Sequence, residues 1–579
     1  GLNIDVSYQY LYNSFFGSDL FNENRYLTRN TVNSFAQLDD NGQVNETPVP
    51  LGSILNTSTR STVDNTFRAQ LNYSVSFNEK LHNIDAIAGY EARKQITDFN
   101  RDRKYGYDDQ SLIFTQPNLN TLYENAIFGG QRLINDGETI VFNENRFLSY
   151  YANAAYNYDK RYTISGSIRL DDTNLFGASE EFRNTPLFSV GAKWNITNED
   201  FFTSSVFDNL NLRATFGSGG NVDRNTSPFL VARQGRDAGS FLNNYLTISN
   251  PPNPTLRLEK TKTLNLGVDF SLFSNRIYGS IEYYNRQSED LLARRNISPT
   301  YGLSSSFLNV AELYNRGVDV DLGLRVVQTK DFNYDIRLLY SQNENKVTSI
   351  DESNPGEIFL WTQYDANAFV IGEPVDAFFS FRYAGLDRNG NPSFFNENDE
   401  VIEVGGDIGA IESLKPEGSR SPNRTGSITN TFTYKNFSLR VLTTYSGGNR
   451  FRFERNFDPR FFNTNVYSDF VSRWQQPGDE LLTDAPRLTS PNETGTPLYL
   501  YLDESDRNTD DASTIRLNQV NFTYRFPKKL VNKLSMSNLS VSAQADNLYI
   551  WNFNKWDVDP FSRTIPIPPT FTLNITANF

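Results

Sequence analysis

The segment TFTLNITANF, residues 570–579, alternates without a single error. Phe571, Leu573, Ile575, Ala577 and Phe579 fall on one side, and Thr570, Thr572, Asn574, Thr576 and Asn578 on the other. Successive side chains of a strand project to opposite faces, so the segment has one apolar face, one polar face and an aromatic last residue. A strand of a soluble sandwich could carry this pattern. A strand of a membrane β-barrel must carry it, with lipid outside and a wet lumen inside.

The pattern recurs from the first residues onward. Leu2, Ile4, Val6, Tyr8, Tyr10 and Tyr12 alternate with Asn3, Asp5, Ser7, Gln9 and Leu11, and Phe67, Ala69, Leu71, Tyr73, Val75 and Phe77 lead through a short turn at Asn78 to His82 into Ile84, Ala86, Ala88 and Tyr90. Strand pairs follow near 146–158 and 161–175, 186–196 and 209–218, 259–273 and 277–289, 308–328 and 332–346, 424–435 and 437–447, and 514–526 and 538–549. With the first and last strands the count is about sixteen, within the range of outer-membrane barrels. One set of connections is a few residues long, while the other includes polar loops near 16–62, 106–145, 219–258, 347–423 and 448–513. Strict alternation of short turns and long loops is expected of an outer-membrane barrel, with the long loops extracellular and Phe579 periplasmic. It is foreign to a soluble sandwich, and the lack of a fixed repeat speaks against a propeller. Phe378 to Gly385 (FFSFRYAG) reads as β-structure inside an extracellular loop, since counting it as a spanning strand breaks the parity.

Composition agrees with an all-β membrane barrel in one domain. Mean hydropathy is -0.53, and no run approaches the roughly 18 apolar residues of a membrane helix. Alternating strands average out as hydrophilic, so this excludes helical spans alone. Aromatic residues make up 14% of the 579, enough for interfacial girdles. A net charge of -14 argues against nucleic acid as a partner. Cysteine is absent, which removes disulfides, thiolate nucleophiles and Cys-based metal sites. The single histidine, His82, falls in a predicted periplasmic turn without a nucleophile or positioned partner, so no enzyme activity is expected.

Candidate contact residues lie in the predicted extracellular loops. Trp361, Tyr364, Arg450, Phe451, Arg452, Phe453 and Trp474 combine aromatic faces that stack on sugar rings or peptide side chains with guanidinium groups that pair with carboxylates. Packing within the loops would use the same residues. Asp387, Asn389 and Asn391, followed by the acidic run 396–400, are oxygen-rich enough to hold calcium, but the spacing departs from the EF-hand loop and an Asn-Gly turn explains it equally well. Asn265, Asp269, Asn521, Thr523 and Arg525 are expected to line the lumen.

At residues 253–292 the sequence NPTLRLEKTKTLNLGVDFSLFSNRIYGSIEYYNRQSEDLL resembles a signature of SusC/RagA-type TonB-dependent outer-membrane transporters, with Leu258 where that family usually has Trp. RLDDTNLFG (169–177), LRATFGSGGN (212–221), NRGVDV (315–320), YAGLDRNGNPSFF (383–395), RWQQPGDE (473–480), TIRLNQVNFTYRFPKKL and ADNLYIWN extend the likeness along nearly the whole chain. Asp172 to Asn174 depart from the usual pattern of the first of these.

The resemblance implies a 22-stranded barrel closed by a plug. Counted from the last strand, Leu2 to Tyr12 would be about the seventh strand, so the plug, the TonB-contacting segment and about six strands are expected outside this sequence. It also implies import of oligomeric nutrients, glycan or peptide, energised through the TonB complex, with a SusD-like surface lipoprotein as lid and no cofactor. A passive porin and a structural or secretion-associated barrel remain as alternatives.

Overall fold

The computed structural model describes the chain except residues 176–184, 222–225, 237–243, 304, 351–361, 363–368, 404–407, 409–410, 454–470, 489–500 and 563–565. Its body is one antiparallel sheet of sixteen strands, each hydrogen-bonded to its neighbours in chain order. These are β1 (Leu2–Phe21), β2 (Ser53–Phe77), β3 (His82–Tyr107), β4 (Thr139–Tyr158), β5 (Tyr162–Thr173), β6 (Leu187–Asn195), β7 (Phe207–Asn221) and β8 (Glu259–Leu272). They continue as β9 (Ile277–Asn296), β10 (Ser305–Gln328), β11 (Phe332–Ile350), β12 (Arg424–Tyr434), β13 (Phe437–Gly447), β14 (Thr514–Arg525), β15 (Asn538–Asn552) and β16 (Thr570–Asn578). β1 and β16 stand at the two ends of the order.

Register carries the alternation of each strand across the sheet. Phe332, Tyr434, Phe437, Tyr524, Val541 and Ile575 form one row over six strands, and Tyr334, Phe432, Leu439, Phe522, Ala543 and Leu573 the next. Between them runs the polar row Asn333, Thr433, Ser438, Thr523, Ser542 and Asn574. A slip of one residue anywhere would turn a strand's apolar set onto the polar face, so each row fixes its neighbours. The polar face carries Asn265, Asp269, Asn521, Thr523 and Arg525 as the alternation requires. It is laced by ion pairs: Arg213 donates to Asp269 at 2.9 Å and to Glu282 at 2.6 Å, and Arg337 to Asp321 at 2.7 Å. Glycines on this face make room for large neighbours; a Cβ on Gly317 would lie 2.5 Å from the Tyr284 hydroxyl.

Connections alternate along the whole sheet. At one end they are tight, such as 159–161, where Asp159 and Lys160 both take positive φ (50° and 54°), as the two central residues of a primed hairpin turn do, and Arg161 N–H closes the turn on the Tyr158 carbonyl. The longest there, 196–206 and 526–537, hold a 3-10 turn and the helix α2 (Lys528–Lys533). An aromatic belt follows this end: Phe77, His82, Tyr158, Tyr162, Trp194 and Phe201 succeed one another with ring centroids 4.7 to 6.5 Å apart. His82 therefore opens β3 rather than sitting in the turn, stacked on Phe77 and bonded through Nδ1 to the Tyr156 hydroxyl at 2.7 Å.

All the long loops leave the opposite end. Two are shorter than the sequence suggests: 16–62 contracts to 22–52, and 106–145 to 108–138. β1 and β2 stay paired out to Phe21 and Ile54, and β2 and β3 out to Ser53 and Tyr107. Backbone ladders need no alternating side chains, so the strands continue as hydrogen-bonded ribbons after the amphipathic pattern has ended. With 20, 25, 26 and 20 residues, β1 to β4 are about twice as long as the 11 and 11 of β12 and β13.

Candidate functional site

The long-loop end folds into ordered layers with their own cores. The helix α1 (Tyr26–Ser34) in loop 22–52 packs Val32 with Phe35, Val49, Ile54, Tyr105 and Ile134, which ties that loop to 108–138. Tyr105, 1% exposed, donates its hydroxyl to the Asn135 carbonyl at 2.6 Å.

A second core joins loops 351–423 and 448–513. Ala377, Phe379, Phe381, Phe394, Ile408, Leu414 and Leu502 form it. The segment FFSFRYAG is β-structure here, split between the strands Ala377–Phe381 and Tyr383–Leu386 of two separate small sheets. Arg452, 2% exposed, is the link between the loops. It pairs with Glu504 and donates to the carbonyls of Thr362 (2.5 Å) and Phe379 (2.7 Å) and to the Ser380 hydroxyl (2.9 Å). Its guanidinium also lies 5.2 Å from the centre of the Phe378 ring. A buried arginine with this many acceptors is held by desolvated, charge-assisted bonds, and removing it would leave Glu504 without that pairing.

The candidate residues therefore divide. Phe451, 1% exposed, meets the Trp556 ring edge-on at 5.8 Å, and Phe453 lies 5.2 Å from the same ring. These two and Arg452 face the loop core. Arg450 lies at the surface, 4.0 Å from Asp510. Trp474 covers the turn at Gly390, where a Cβ would come within 2.4 Å of the indole, and donates Nε1–H to Glu480 at 3.2 Å. Trp361 and Tyr364 lie outside the described residues.

The turn beneath Trp474 contains the oxygen-rich cluster. One carboxylate oxygen of Asp387 accepts the backbone N–H groups of Asn389 and Asn391, both at 2.8 Å, and the other accepts the Asn391 amide at 2.9 Å. Asn391 in turn accepts a bond from Arg487 at 2.9 Å. These oxygens close a turn and dock a neighbouring loop. Among the described residues no group of three or more His, Cys, Asp or Glu side chains is placed to hold a metal.

Two charges in this layer escaped the sequence reading, because nothing local marks them. Glu417, on the strand Leu414–Ser419, has a side chain only 4% exposed with Lys415 at 3.5 Å, and burial pushes its carboxyl up from the usual range. Glu504 contributes the carboxylate that receives Arg452. Burial likewise raises the Tyr383 phenol well above its ordinary value.

Comparison with known proteins agrees with this geometry. The family model "TonB dependent receptor-like, beta-barrel" matches residues 1–548. The TonB-dependent receptor P26 of Formosa agariphila is 24% identical over 535 residues, covering 86% of this chain and 51% of the relative. The TonB-dependent receptor SusC of Bacteroides thetaiotaomicron is 25% identical over 287 residues, covering 44% of this chain and 28% of SusC. The solved RagAB peptide transporter shares the fold, with a TM-score of 0.75 at 20% identity over all of this chain and 60% of its own. The chain spans about half the length of the curated relatives it matches along most of its length. It belongs to the TonB-dependent receptor-like β-barrel family, proteins of the outer membrane, and its motifs are of the SusC/RagA type.

Proposed function

We propose that this chain forms barrel wall and outer loops of an active importer of oligomeric nutrients, glycans or peptides, in a SusCD-like complex energised through TonB. The observation that carries the reading is the asymmetry of the two ends. One has tight turns and an aromatic belt; the other has two layers of paired loops, each with its own buried core. Ordered loop cores provide a fixed surface on which a lipoprotein lid can seat and a ligand can be held. In this reading the long loops are extracellular, Phe579 is periplasmic, and further strands and a plug of the same protein complete the barrel. Surface residues such as Arg450 and Trp474, together with Trp361 and Tyr364, remain the contact candidates for lid or ligand, and no cofactor takes part.

The test uses the full-length protein purified from its outer membrane. The expected result is a co-purifying surface lipoprotein carrying glycan or peptide, with uptake of that ligand abolished when TonB is deleted. Uptake that persists without TonB would make the protein a passive porin. A barrel that never brings down a lipoprotein or a ligand would instead favour a structural or secretion role.

A further inference from the structure

The lumen face of β1 to β4 continues past the membrane, and its character changes there. Arg60 on β2 and Phe99 on β3 are cross-strand partners, seventeen residues outward from Phe77 and His82 in the aromatic belt. At a rise of about 3.3 Å per residue and a tilt of about 45°, that is roughly 40 Å along the membrane normal, beyond a hydrocarbon core of about 30 Å. Alternation puts both on the same face as Asp64 and Arg93, and register joins them to Phe15 and Val141 in one row across four strands. Phe15 is 62% exposed, a large aromatic ring on a face that is otherwise polar. Tyr105, six residues beyond Phe99 and so on this same face, is buried in the core built around α1. That loop layer therefore sits on the inner side of the ribbon and roofs the row.

The arginines of the row are unlike those nearer the membrane. Arg68, Arg93, Arg169, Arg213 and Arg337 on the lumen face each pair with a carboxylate. Arg60 and Arg101 meet none among the described residues; their guanidiniums lie 5.1 and 5.8 Å from the centre of the Phe99 ring. The acids nearest in register are Asp64, held by Arg93, and Asp19, two rows further out in a row that also carries Arg103. A guanidinium stacked on a ring keeps its fork of N–H donors available, and no more than the sum of those two distances separates the pair. In a chain of net charge -14 they are a local excess of positive charge. The flanking rows offer short hydroxyl and amide groups: Asn13, Thr62, Thr97 and Asn143 toward the membrane, Ser58 and Thr139 away from it. Such groups both donate and accept, as a hydroxyl-rich ligand requires, and the Phe15 ring gives a flat face for a sugar. An acidic peptide would use the arginines alone.

We propose that this row is a subsite for an acidic oligosaccharide, with its carboxylate or sulfate groups on Arg60 and Arg101 and a sugar ring against Phe15. The proposal rests on the importer reading, in which this face lines the outer mouth, and it narrows the nutrient to an anionic glycan.

The experiment is titration calorimetry of the full-length protein in detergent. The probes are mixed oligosaccharides from polygalacturonate and from a sulfated galactan, each beside its carboxyl-reduced or desulfated counterpart, and oligoglutamate. One acidic pool is expected to bind at least tenfold more tightly than its neutral counterpart and than oligoglutamate, with affinity falling as salt rises. The double variant R60Q/R101Q should weaken that binding about tenfold, on the scale of a lost charge-assisted hydrogen bond, and F15A several-fold. R337A, on the same face but close to the tight turns, should leave it unchanged. No preference for either acidic pool, stronger binding of oligoglutamate, or unchanged binding in R60Q/R101Q overturns the subsite and leaves the importer intact. Uptake of the bound glycan that persists without TonB would overturn active import and leave the subsite intact.

Discussion

The sheet wall and the loop layer are stabilised in opposite ways. In the wall, specification is repeated: Phe522 sits in a row with Tyr334, Phe432, Leu439, Ala543 and Leu573, and five neighbours enforce its register. In the loop layer it is concentrated: Arg452 alone gathers Glu504, Thr362, Phe379 and Ser380 from segments far apart in the chain. A distributed structure tolerates single changes, whereas a layer centred on one buried ion does not. That contrast orders the following expectations.

The largest effect should come from R452A. It leaves the partly buried Glu504 carboxylate without its guanidinium and the Thr362 and Phe379 carbonyls without that donor, and the loop layer should lose about 3 kcal/mol. Hydrogen exchange should show residues 377–386 and 501–511 opening together, while the heat-induced gel-mobility shift of the barrel is unchanged. Simultaneous opening of the wall strands would show that the two regions are not independent.

L266R tests the wall. Leu266 lies on the apolar face six residues in from the hairpin pair Leu272 and Ile277, and an arginine on the lipid face near mid-membrane costs about 2–4 kcal/mol, while N265R on the lumen face should cost far less. Chemical denaturation of the refolded protein in lipid vesicles compares the two, and equal losses would contradict the assignment of faces. G317A probes close packing on the lumen face. Its Cβ would meet the Tyr284 hydroxyl and the Gln342 carbonyl, and overpacking of this kind costs about 1–3 kcal/mol. The same denaturation assay should report the loss.

The smallest effect concerns pH. The Glu417 carboxyl is raised by burial above its unfolded value. Its contribution to loop stability is therefore complete below the ordinary carboxylate range and is lost as pH rises through the raised value. Protease resistance of the loop layer should fall over that interval in the native protein. In E417Q it should be flat and, at neutral pH, higher by up to about 1 kcal/mol.

The same contrast explains what could be read in advance. The strands from β8 to β16 match their sequence-derived bounds to within a few residues, except that β9 runs seven residues past its expected end to Asn296, since a half-buried strand writes its two faces into alternate positions. The outer parts of β1, β2 and β4 were missed because the period-two pattern lapses there, with adjacent apolar residues such as Phe15 and Phe16, Ile54 and Leu55, and Ile140 to Phe142 falling on both faces, while the ladders run through backbone groups that side chains do not mark. In the candidate site, composition singled out Arg450, Phe451, Arg452 and Trp474 without distinguishing surface from core. The partners that make the distinction, Glu504 and Trp556, lie 52 and 105 residues beyond Arg452 and Phe451.

By itself the sequence determined the period-two wall, the parity of turns and loops, and the family, because each is a local or ordered property of the chain. TFTLNITANF already contained its own two faces. Tertiary structure alone decided which loops share a core, which charges are buried, and that Arg60 meets the Phe99 ring on the lumen face. Those facts depend on register between strands and on contacts closed across long intervals of chain, for which no local pattern carries a signal.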